Sequence, residues 1–178
     1  MCLSCIVGWV SGLTSKWDMQ ALTDNNKENL ITAVYIGSIF LLLAMVYFVN
    51  ASKNLVGSIV SFFGTFTLAQ VPGTSLSLPA PINPGAYISL YLVVFQFCLG
   101  LGILEMIVLA LRIMLHSPLA RKAETVENVV FWLAASYLLI TYLVNASLIS
   151  EWFVFWSGII LIGGISLLAR AFVLVFHR

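Results

Sequence analysis

The stretch Gly85–His116, GAYISLYLVVFQFCLGLGILEMIVLALRIMLH, decides how the rest of the chain is read. It is one apolar run, longer than the roughly 20 residues that cross the hydrocarbon core of a bilayer, and it encloses a single carboxylate, Glu105. At about 100° per residue, Cys98, Gly102, Glu105, Leu109, Arg112 and His116 fall on one helical face, so nearly all the polarity of the run gathers on one stripe. A charge within an apolar helix is costly and needs a partner or a cavity, which makes Glu105 the first candidate functional residue.

The composition supports a membrane setting. Apolar residues make up 61% of the chain and charged residues 8%, against roughly 45–50% and about 25% in globular proteins. The 178 residues leave room for several helices with short loops, so we expect an all-α polytopic bundle and no separate soluble domain. The near-zero net charge and the absence of a Lys/Arg-rich run exclude nucleic-acid binding and a polybasic lipid patch.

Working outward from the central run, the pattern predicts about five spans, at 29–49, 55–71, 85–115, 126–148 and 152–174. Residues 1–28 precede them as an interfacial segment, polar-rich and carrying Trp9 and Trp17, and 29–178 form one bundle. No basic region precedes the short apolar run 5–10, so a signal peptide is not expected. Tyr35 and Tyr47 lie near the two ends of the first span as interfacial anchors.

The run 55–71 sits at the lower limit of spanning length, and its alternative is a re-entrant segment. Residues 72–84, PGTSLSLPAPINP, contain four prolines and no charge, and predict a rigid, extended, turn-rich loop. Residues 119–127 carry Arg121, Lys122, Glu124 and Glu127 and read as a polar elbow before the fourth span.

With five spans, Lys53, Arg112, Arg121, Lys122, Arg170 and Arg178 fall on one side and only Lys16 and Lys27 on the other. Six against two places the amino terminus outside and the carboxyl terminus in the cytoplasm by the positive-inside rule. If 55–71 is re-entrant, the amino terminus moves inside and the rest stays in place.

Several chemistries find no support. Cys2 and Cys5 have CxxC spacing but no relay pair, and Cys98 reads as a buried structural thiol. His116 and His177 both stand at helix ends, so no haem pair, metal set or other cofactor is expected. The serines lack a neighbouring base, and we expect no standalone enzyme.

Glu105 lies two turns, about 10 Å, from Arg112 and hence in the inner half of the membrane, at the level of Arg170. The structural reading pairs Glu105 with Arg170, with Arg112 or with a polar group of the fourth span; the functional reading makes it a proton- or cation-binding carboxylate. Tyr137, Thr141 and Asn145 share a face expected to look into the bundle. Gly57, Ser61 and Gly64, together with Gly158, Gly163 and Ser166, offer small-residue faces on which another helix can pack closely.

Two functions follow. The first is an accessory or structural subunit of a larger membrane complex, or a homo-oligomer, whose partners are the bilayer and other subunits or copies of itself. The second is a channel or carrier for a small solute, proton or cation that uses Glu105.

Overall fold

The computed structural model of the chain describes residues 24–145 and 148–176. Five helices carry the fold: α1 (Asp24–Val49), α2 (Leu55–Gly64), α3 (Ile88–Met114), α4 (Leu119–Leu138) and α5 (Ile149–Val175). Two strands, β1 (Phe66–Gln70) and β2 (Ser77–Pro81), lie between α2 and α3. The expected interfacial segment 1–28 falls largely outside the described residues, and with it Cys2, Cys5, Trp9 and Trp17; residues 24–28 form the first turn of α1.

Among the described residues, four helical stretches are long and apolar enough to cross a membrane: Glu28–Val49, Pro84–Met114, Leu119–Val144 and Ile149–Val175. The all-α class stands, and one of the five expected spans does not. Residues 55–71 form the ten-residue α2 and then β1. The Thr65 N–H and hydroxyl both donate to the Phe62 carbonyl, at 3.2 and 2.9 Å, and close the helix. The FTLAQ run beyond pairs antiparallel with Ser77–Pro81, from Phe66 opposite Pro81 to Gln70 opposite Ser77. Mean apolarity cannot tell a short strand from the second half of a helix, and here β-branched and aromatic residues with a complementary strand downstream decide it.

The hairpin turn is held by Val71 N–H donating to Leu76 O at 2.9 Å and by Gly73, whose φ of 78° suits glycine. Pro79 and Pro81 are tolerated because β2 is a strand of a two-stranded ribbon and has one side without a ladder.

Phe62 anchors this unit to the helices. Its ring meets Phe63, Phe66, Tyr87, Tyr91 and Trp152 in edge-to-face arrangements, with centroids 5.1–6.1 Å apart. Trp152 Nε1 donates to the Pro79 carbonyl at 3.3 Å, so the start of α5 is fastened to β2.

The long helices pack in sequence, α1 on α3, α3 on α4 and α4 on α5. Glycine sets the approach at each contact. A Cβ at Gly100 would lie 2.5 Å from Leu42 of α1, at Gly102 2.5 Å from Leu133 of α4, and at Gly158 2.7 Å from Leu138 of α4. The central helix α3 ends at Leu115 in a Schellman turn: Ser117 N–H donates to Arg112 O at 3.0 Å and His116 N–H to Ile113 O at 3.2 Å. His116 occupies the left-handed position usually given to glycine, with φ 53°. Residues 119–127 are not a separate elbow but the first turns of α4, which continues through a π-helical turn at Leu139–Val144.

Glu28 of α1 faces Arg112 of α3, and Glu127 of α4 faces Arg170 of α5. The start of α1, the end of α3, the start of α4 and the end of α5 therefore share one end of the bundle, and the hairpin lies at the other. The five-crossing arrangement, with residue 24 and residue 175 at opposite ends, is corrected accordingly.

Candidate functional site

The polarity of the long helices concentrates at the charged end. Glu105, only 2% exposed, is the one carboxylate among the fully buried residues described. It accepts two hydrogen bonds on the same oxygen, Oε1: from the Tyr35 hydroxyl of α1 at 2.7 Å and from Asn128 Nδ2 of α4 at 3.0 Å. One side chain of α3 thus ties the helices on both its flanks. Oε2 has no donor among the described residues.

The expected Glu105–Arg170 contact does not form. Arg170 Nη1 lies 3.1 Å from Glu127 Oε2, because α5 packs on α4 and not on α3. Arg112 is not paired with Glu105 either. Its Nη1 donates to the Arg121 carbonyl at 2.7 Å and to the Thr125 hydroxyl, and its Nη2 stands 3.9 Å from Glu28. Arg112 therefore staples the turn between α3 and α4, while Nε and Glu28 Oε1 remain buried without a hydrogen-bond partner.

A cavity of about 190 Å³ opens beside this layer, lined by Thr32, Tyr35, Glu105, Val108, Arg112, Arg121, Glu124 and Asn128. A buried carboxylate costs several kcal/mol when no cation faces it, and two neutral donors offset about 1.5–3 kcal/mol each. The cavity gives water or a small ligand access to what remains.

No family model, characterised protein or solved structure matches the chain. The chemistry of the site therefore rests on its own residues.

The expected interior stripe faces outward. Tyr137, Thr141 and Asn145 are exposed, whereas Ala135, Ser136, Leu139 and Leu143 occupy the buried face of the same helix. Thr141 Oγ1 donates to the Tyr137 carbonyl at 2.8 Å and Asn145 Nδ2 to the Ile140 carbonyl at 2.9 Å. Each group satisfies itself on its own backbone, so neither needs the bundle interior.

The small-residue faces are also largely uncovered. Among the described residues, a Cβ at Gly64 or Gly163 would meet no atom within 4 Å, and at Gly57 its nearest neighbours would be side-chain atoms of Asn54, three residues earlier. The Ser61 carbonyl accepts from the Tyr87 hydroxyl at 3.3 Å, and Ser166, buried, donates to the Gly163 carbonyl at 2.9 Å. Cys98 is a free buried thiol within the hydrophobic core.

The layer also contains Tyr35, expected as an interfacial anchor, and three residues with no expected role in a site, Asn128, Glu28 and Thr125. One signal was available for the last, since Arg121, Thr125 and Asn128 recur at i, i+4 and i+7 along one face. A second cavity, of about 460 Å³ between the hairpin and α5, is lined by Phe66, Pro79, Trp152, Trp156 and other apolar groups, with Ser157 as its sole hydroxyl. That hydroxyl donates to the Val154 carbonyl at 2.8 Å.

Proposed function

We propose that this chain is a structural or accessory member of a larger membrane assembly, formed with other subunits or with copies of itself, and that it has no standalone catalytic machinery. The observation that carries this reading is packing chemistry without a helix upon it. Among the described residues, a Cβ at Gly163 or Gly164 on α5, or at Gly64 on α2, would meet nothing within 4 Å, although close approach at such residues is what drives helix association in lipid. The exposed Tyr137 on α4 and Thr141 in the π-helical turn after it add polar groups to the outside of the bundle. The Tyr35–Glu105–Asn128 layer then serves to hold the helix order of the subunit.

In this reading the end bearing Arg112, Arg121, Lys122 and Arg170 is cytoplasmic, and the hairpin end, with Lys53 as its Lys/Arg residue, is extracytoplasmic. The mass of the complex that holds this chain after mild detergent extraction tests the proposal. An assembly larger than one chain is expected, and Gly163→Val should reduce it. A stable monomer that co-purifies with nothing overturns it.

A second reading, a channel or carrier for a small solute, proton or cation through Glu105, draws support from the cavity beside that residue. The outward turn of Tyr137, Thr141 and Asn145 takes from it the residues expected to line the route.

A further inference from the structure

The ion pairs around the cavity leave Glu105 out. Arg121 lies 3.1 Å from Glu124, and Arg112 faces Glu28 at 3.9 Å, so these four groups balance. Among the described residues, Glu105 accepts hydrogen bonds only from the neutral donors Tyr35 and Asn128. Of the described carboxylates in and beside the cavity, Glu124 has Arg121 and Glu28 has Arg112 within 4 Å, whereas Glu105 has no cation at that distance, and it is the buried one. Arg112 lines the same cavity, but its Nη atoms are directed to Arg121, Thr125 and Glu28.

We propose that the cavity binds one small monovalent cation, an alkali ion or a primary ammonium, at Glu105. Three features support this class of ligand. The unpaired charge is single, so a divalent ion would be left half-compensated. Both protein donors bind Oε1, so Oε2 keeps its acceptor capacity. The lining side chains Tyr35, Thr32 and Asn128 bring further oxygens, the ligand type that hard cations and ammonium groups take. The site stands independently of the assembly reading, because every residue in it belongs to one chain.

The experiment uses the purified full chain in detergent, with thermal unfolding measured against rising sodium, potassium or methylammonium chloride at constant ionic strength. N-methylglucamine, too bulky for the site, makes up the balance. At least one small cation should raise the unfolding temperature saturably, by about 5 °C or more at roughly a hundredfold excess over its Kd. The alkali and methylammonium arms separate an inorganic ion from an organic amine. The response should vanish in Glu105→Gln and persist in Arg170→Gln, which alters an ion pair at the same end outside the cavity.

Equal stabilisation by all four chlorides, a shift without saturation, or an undiminished response in Glu105→Gln overturns the proposal. Should Glu105→Gln not fold, the native chain decides alone: saturable selectivity among cations of equal charge supports the site, and its absence refutes it.

Discussion

Replacing Glu105 by glutamine separates two things the carboxylate supplies, an acceptor position and a charge. Both hydrogen bonds to this residue end on Oε1, and a glutamine carbonyl oxygen can occupy that position and accept the same two donors. The bonds become neutral ones, falling from about 1.5–3 to about 0.5–1.5 kcal/mol each, a loss of about 2–3 kcal/mol over the pair. Against this, the substitution removes a desolvated charge whose cost is several kcal/mol, reduced in part by the field of Arg112 across the cavity. The new amide NH₂ replaces Oε2 and can be hydrated there.

Glu105→Gln is therefore expected to be as stable as the native chain, or up to about 2 kcal/mol more stable, in a medium without small cations. Glu105→Ala leaves the Tyr35 hydroxyl and the Asn128 amide without their acceptor, at about 1–3 kcal/mol per group, and should lie at least about 2 kcal/mol below the glutamine variant. Reversible unfolding in mixed micelles, followed by tryptophan fluorescence, measures both differences. Equal destabilisation of the two variants would refute the reasoning, since it would mean that charge, not acceptor geometry, holds α1 and α4 to α3.

Three further substitutions test the packing. Gly102→Ala places a Cβ 2.5 Å from Leu133 Cδ2 and 3.3 Å from the Leu133 backbone nitrogen; it should cost about 1–3 kcal/mol in the same unfolding assay, while Gly164→Ala, with open space around it, should leave the unfolding free energy of the dissociated chain unchanged. Phe62→Ala removes the hub of the aromatic cluster, for about 3–5 kcal/mol, and hydrogen exchange should accelerate at the Val71 and Ile82 amides, which are bonded within and beside the hairpin. His116→Gly relieves a non-glycine residue at φ 53° and should stabilise the α3–α4 turn by about 0.5–1 kcal/mol in equilibrium unfolding; a loss would show that the imidazole makes a compensating contact.

The sequence makes the long helices legible because each is a sustained apolar run with its own stop. Asn50 follows α1 and bonds back to the Val46 carbonyl, and His116-Ser117-Pro118 interrupts α3 before α4 begins. It does not make the hairpin legible. Four prolines within 72–84 argue against a helix, as found, but β2 owes its existence to a partner that hydropathy had assigned to a span. Pairing between residues such as Thr67 and Ala80 is a non-local property, and apolar content leaves no mark of it. The outward turn of Tyr137 and Thr141 was hidden for another reason: a polar residue that can bond its own i−4 carbonyl has no need to face inward.

The reassignment of residues 55–71 carries through to the partners of Glu105. With five crossings, α1 runs parallel to the central helix, and Tyr35, near its start, lies toward the far interface from Glu105. With α2 and the hairpin returning the chain on one side, α1 runs antiparallel to α3, and the pairs Glu28–Arg112, Tyr35–Glu105, Leu42–Gly100 and Asn50–Gln96 follow in order along the two helices. Tyr35 thus crosses from an interfacial anchor to the strongest donor on the buried carboxylate. The same reversal moves the excess of basic residues to the end where α1 begins and α5 ends, so the local identity of one strand fixes both the partner of Glu105 and the end from which its cavity is reached.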